Sequence, residues 1–223
     1  MTSWMIEKGI CYEKFKNSFY SNLESNQSSE IIDNDFHNLE KDTVNLLKNC
    51  IDPSKKSTNK LSTNLALGLI QSGKTSSMEL LANLARDNGF KLIIVMSGTV
   101  GTLTKQTQSR LYKTLNGITW KRFYIPGYKD GESFSPNKIS EDILSSFKTW
   151  ENDLFNNNEK RTSIIITMKN KPRLQKLLKV LKNISLKNEN ILNDIPALII
   201  DDECDHASIN TRRNREEDEG EGD

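Results

Sequence analysis

The stretch GLIQSGKTSS (68–77) begins inside an apolar run, LALGLI (65–70), and leads into a helical pattern. Gly68, Gly73, Lys74 and Thr75 satisfy the spacing G-x-x-x-x-G-K-S/T. Glycines let the backbone curl so that successive N–H groups point at phosphate oxygens. A lysine at this point places charge between the β- and γ-phosphates, and the threonine hydroxyl takes one position on Mg²⁺. A helix starting at this point adds the positive end of its dipole. The plain alternative is a strand-to-helix turn that carries a lysine by chance, and chance supplies such a match in a chain this long roughly once in a hundred. Context favours the phosphate loop, because the motif requires an apolar strand before it and a helix after it. Gly68, Gln71, Ser72, Gly73, Lys74, Thr75 and Ser76 are therefore the expected nucleotide contacts, with ATP and Mg²⁺ as the expected cofactors.

Outward from the loop, the chain alternates short apolar runs with amphipathic helices. LALGLI is the first expected strand. The helix after the loop carries Met78, Leu81, Ala82 and Ala85 on one face and stops at Asn88-Gly89. KLIIVM (91–96) is a continuous apolar run, the mark of a strand covered on both faces. A helix with Leu103, Thr107, Leu111 and Leu115 follows and ends at Asn116-Gly117. ITWKRFYI is a further strand candidate, then a helix with Ile143, Phe147, Trp150 and Leu154 on one face. TSIIITM (162–168) is a buried strand; Pro172 suits the first turn of the next helix, and Leu174, Leu177, Leu178 and Leu181 form its stripe. ALIIDD (197–202) is the last strand. Strands alternating with helices predict an α/β fold with a parallel sheet.

That last strand ends in acid: Asp201, Asp202, Glu203, Cys204, Asp205 and His206. In a parallel sheet the carboxyl end of a strand opens onto the ligand crevice, which brings these groups to Mg²⁺. Asp202 is the expected metal partner through water, and Glu203 the group that polarises the attacking water. Lys74 and Glu203 are thus the expected catalytic pair. Cys204 reads as a small filler, since no basic partner is visible to activate it. His206 either relays to a neighbouring domain or caps a turn.

Bulk properties narrow the classes. Net charge is +1, so no global field points to nucleic acid or membrane, and any basic surface is local. Lysine is concentrated in KNKPRLQKLLKVLKN, whereas the last eight residues, EEDEGEGD, form an acidic tail expected to be disordered. No apolar run reaches the length of a membrane span, and the start, MTSWMIEKG, lacks signal-peptide features, so a cytoplasmic protein is expected. Cys11, Cys50 and Cys204 form neither a disulfide framework nor a zinc pattern. Residues 5 to about 50 look helical, with Ile32, Phe36, Leu39, Leu46 and Leu47 on one face, and DPSKKSTNK (52–60) reads as a polar linker. This segment is expected to pack beside the main domain.

The phosphate loop together with Asp202-Glu203-Cys204-Asp205 resembles the superfamily-two helicase-type ATPases, which pair such a loop with a D-E-x-D or D-E-x-H strand end. A closer resemblance is to the Z-one domain family, associated with endonucleases in bacterial restriction and phage-defence settings. It is carried by QSGKT (71–75), SGTVGTLTKQTQSRL (97–111), IIITMKNKPRLQKLLKVL and LIIDDECDHASIN, over about 62 to 211. Cys204 stands where that family has Ala, and His206 where Gln or Asn is common. The resemblance implies a RecA-like P-loop NTPase lobe over 61–212, incomplete, preceded by a helical N-terminal segment over 1–60 and followed by the tail over 213–223. It also implies nucleic acid, DNA above all, as partner. Ser97, Gly98 and Thr99 in the turn after the second strand are then backbone contacts, with Gln106 and Arg110 on the following helix. The alternative for these residues is an ordinary strand-to-helix turn.

Helicase-type ATPases cleave ATP between two lobes, the second supplying an arginine finger. Nothing after Asp205 has the length for it, so the chain reads as the N-terminal part of a longer protein or a truncated member. It is expected to bind ATP–Mg²⁺ and to hydrolyse it slowly. No nuclease constellation is visible, and any cutting activity belongs to another part of the parent. Two other classes share the loop: a small-molecule phosphotransferase, and an interaction module in which nucleotide rigidifies a surface without turnover.

Overall fold

The computed structural model describes residues 4, 7–23, 28–55, 62–66, 74–98, 101–126, 134–187 and 191–202. Two helices come first, α1 (Ile10–Leu23) and α2 (Ser29–Lys48). There follow α3 (Lys74–Asp87), β1 (Leu92–Ser97), α4 (Gly101–Thr114), β2 (Trp120–Tyr124) and α5 (Pro136–Glu151). The described part closes with β3 (Thr162–Met168), α6 (Lys171–Lys187), the short α7 (Ile191–Asp194) and β4 (Ala197–Asp201). The four strands form one parallel sheet in the order β2-β3-β1-β4. The fold is therefore α/β, as the alternation predicts.

Ser62–Ala66 carry no strand, and Leu65 is exposed. The rest of the expected first strand, and Gly68 to Gly73, lie outside the described residues. Among the described residues, no helix is long and apolar enough to cross a membrane.

Strand alternation sorts the core into two layers. Ile93, Val95, Ile164, Ile166 and Leu198 face one side, where Leu80, Leu84 and Ala85 of α3 and Leu111 of α4 cover them. Cys11, Tyr12 and Phe15 of α1 and Phe36 and Leu47 of α2 join this same cluster, so the N-terminal helices share the core of the sheet. Leu92, Ile94 and Ile165 face the other side, against Ile143 and Phe147 of α5 and Leu177, Val180 and Ile184 of α6. Ile164, Ile165 and Ile166 are fully shielded, and each such burial stabilises by about 2 kcal/mol. β4 is the contrast. It pairs only with β1 among the described residues, and its Ala197 and Ile199 are exposed.

Local signals set the helix ends. Gly89 and Gly117 adopt φ +96° and +90°, left-handed conformations that end α3 and the turn after α4. The Ser135 hydroxyl accepts from the Lys138 amide, with Pro136 in the first turn of α5. Asn170 Oδ1 accepts from the Arg173 amide and starts α6.

Candidate functional site

Helix direction puts the expected site residues at one end of the sheet. α3 is joined to β1 by the short turn at Asn88–Gly89, so the two run in opposite senses. The helix has 14 residues and the strand six, or about 21 and 20 Å at 1.5 and 3.3 Å per residue. Lys74 and Thr75, the first residues of α3, therefore start near the carboxyl end of the strands. α4 and α6 follow β1 and β3 directly, so they begin at that end too. Asp201 and Asp202 finish β4 there as well. Lys74 is exposed, while Thr75 and Ser76 are half-buried.

The register shows what surrounds the acids. Met96 of β1 aligns with Thr167 of β3 and Asp201 of β4. The Asp202 amide donates to the Met96 carbonyl at 2.9 Å, and the Lys169 amide to the Ser97 carbonyl at 3.1 Å. Lys169 Nζ then reaches Asp201 Oδ1 at 2.7 Å. Lys169 belongs to the end of β3 and Asp201 to the end of β4, and β1 lies between them. The ion pair therefore spans the carboxyl end of β1. With the Lys169 side chain 8% exposed and Asp201 38%, it is a half-buried pair, stronger than a surface one. The two acids are thereby distinguished: Asp201 is engaged with Lys169, and the half-buried Asp202 stands next at the strand end.

The chain is shielded where β1 ends. Ser97 and Gly98 are buried, and the Ser97 hydroxyl donates to the Thr167 carbonyl at 3.1 Å. Gln106 and Arg110 are exposed on α4. Thr99 lies outside the described residues, as do Gln71, Ser72, Glu203, Cys204, Asp205 and His206.

Arg110 is the group that the structure brings to the start of α3: its guanidinium donates to the Thr75 hydroxyl at 3.4 Å. One turn further along α3, Glu79 is buried. Burial pushes its carboxyl from 4.5 up to about 7, and the charge of Arg110 pulls it back down. No family model, characterised protein or solved structure matches the chain.

On the opposite face, a cleft of about 570 Å³ opens between the ends of β1 and β3 and the first turns of α6, lined by Met96, Lys169, Asn170, Lys171, Leu174 and Leu178. Sequence reasoning missed two features, the Lys169–Asp201 bridge and the Arg110–Thr75 contact. The lysine directly after the buried β3 run was a usable signal, because a charge there must find a partner. Nothing local signals that Arg110 meets Thr75, since 35 residues separate them.

Among the described residues, no group of three or more His, Cys, Asp and Glu side chains is placed to hold a metal ion. Magnesium does not need one. It takes one or two protein oxygens and keeps waters and phosphates for the rest. The Thr75 hydroxyl and the Asp202 carboxylate are hard oxygen donors of that kind.

Proposed function

We propose that this chain is the nucleotide-binding lobe of a RecA-like, helicase-type P-loop ATPase that acts on nucleic acid. One observation carries the reading: the G-x-x-x-x-G-K-T motif runs straight into α3, and α3 starts at the same end of a parallel sheet as Asp201–Asp202. That juxtaposition supports phosphates at the start of α3, held by backbone N–H groups, Lys74 and the helix dipole. Thr75 and Asp202 would hold Mg²⁺, which neutralises charge on the phosphates when bound. Glu203, next in the chain, orients the attacking water and accepts its proton. Nucleic acid runs along the outer surface of α4, where Gln106 is exposed; binding there is through the backbone, independent of sequence and weakened by salt.

Calorimetry with Mg²⁺ and a non-hydrolysable ATP analogue tests the reading. The chain should bind, and Lys74→Ala should abolish binding without unfolding. A folded sample that gives no heat at saturating analogue refutes it. Glu203→Gln separates an ATPase from a module without turnover: the ATPase variant retains ATP and loses hydrolysis.

A further inference from the structure

The geometry points to Arg110 as a phosphate-sensing residue that reads the terminal phosphate of the nucleotide from the side of α4. This rests on the phosphate-loop reading above and adds a residue to it.

The argument begins with the placement of the guanidinium. Arg110 reaches from α4 to the hydroxyl of Thr75, the second residue of α3. That hydroxyl belongs to the motif position that faces the metal and the β- and γ-phosphates. The guanidinium therefore sits beside the negative charge that separates a triphosphate from a diphosphate. Among the described residues Arg110 makes this one hydrogen bond and no ion pair. A guanidinium has five donors in a planar fork, suited to two oxygens of one phosphate. A single long bond to a neutral hydroxyl leaves most of that capacity unused. Glu79, one turn along α3, is buried; it feels the charge of Arg110 but forms no hydrogen bond to the guanidinium among the described residues.

The position also has a consequence for coupling. α4 is the helix that follows β1, the strand whose carboxyl end the Lys169–Asp201 bridge spans. An arginine on α4 that grips the third phosphate therefore ties this helix, and the nucleic-acid surface proposed along it, to the state of the nucleotide. Release of the terminal phosphate returns Arg110 to the Thr75 hydroxyl.

The test is the ratio of affinities for a non-hydrolysable ATP analogue and for ADP, both with Mg²⁺, measured by calorimetry on the full chain. Arg110→Ala should lose tenfold or more in affinity for the analogue and less than threefold for ADP, with an unchanged melting temperature. Arg110→Lys should recover part of the ratio, as a point charge without the fork. An equal loss for both nucleotides assigns Arg110 a structural role and overturns the inference, as does an unchanged ratio. If the unmodified chain binds neither nucleotide, the phosphate-loop reading fails and this inference with it. If it binds both and Arg110→Ala leaves the ratio intact, only this inference fails.

Discussion

The two ends of α3 differ in burial and in the contacts they make. At its last turn Arg86 and Asp87 are shielded almost completely, with side chains 3% and 1% exposed. Asp87 accepts from the backbone amides of Cys11 and Tyr12 at 3.2 and 2.8 Å and so caps α1 from another helix. Its carboxylate also favours the positive start of α1. Arg86 donates to the carbonyls of Lys160, at 2.8 Å, and Asn157, and lies over the Trp150 ring. Burial raises the Asp87 carboxyl above its usual value, although the two amides and Arg86 pull it down. At the first turn there is an exposed lysine, a half-buried threonine and one long bond from Arg110. One end fastens the N-terminal helices and the 152–161 loop to the sheet; the other is left with donors facing outward. The described polar contacts of α3 thus concentrate at its last turn, where of the Arg86 nitrogens Nε is left without a partner.

Variants at the two ends should therefore separate folding from binding. Asp87→Ala removes the α1 cap and leaves Arg86 buried without its carboxylate. It should cost about 3 kcal/mol in denaturant unfolding, and a loss under 1 kcal/mol would contradict the account. Asp87→Asn, which keeps one acceptor, should cost less. Gly9→Ala is next. A Cβ there would stand 2.8 Å from Asp87 Cγ, so the cap must shift, at about 1–3 kcal/mol. A wild-type melting temperature would show that the contact yields freely.

Glu79 tests the middle of the helix through pH. Its folded value of about 7 lies above the ordinary 4.5, so the folded state holds the proton more tightly than the unfolded chain. The resulting stabilisation is complete below pH 4.5 and is lost as pH rises through 7. Glu79→Gln should remove this slope, leaving a variant more stable than the parent at pH 8, on the order of 2 kcal/mol. Parallel stability–pH curves for parent and variant would sink this. The smallest stability effect belongs to Lys74→Ala, within about 0.5 kcal/mol because the side chain is exposed. A large loss of stability there would erase the contrast between the two ends.

Much of the architecture is legible in the sequence because its signals are local. The Asn88-Gly89 and Asn116-Gly117 stops precede or contain residues with positive φ, and TSIIITM is buried at every position. The stripe on α6 is only partly core: Leu177 is buried and Leu181 packs against the same cluster, but Leu174 and Leu178 are exposed, lining the cleft at the ends of β1 and β3. Helical periodicity reports that a residue suits burial, and whether a neighbour covers it depends on how the helix lies on the sheet. The N-terminal helices show the same limit. Their apolar stripe was visible, yet its partner is the outer surface of α3, held by a cap that no spacing announces.

The chain itself determined the alternation of strands and helices from β1 to β4 and the acidic end of the last strand, and it carries the glycine-lysine motif, since each follows from side-chain chemistry within a few residues. Only the folded arrangement decided the order β2-β3-β1-β4, the bridge from Lys169 to Asp201 across β1, and the meeting of Arg110 with Thr75. Those depend on contacts between residues far apart in sequence, whose partners are chosen by how the whole sheet and its two helical layers pack.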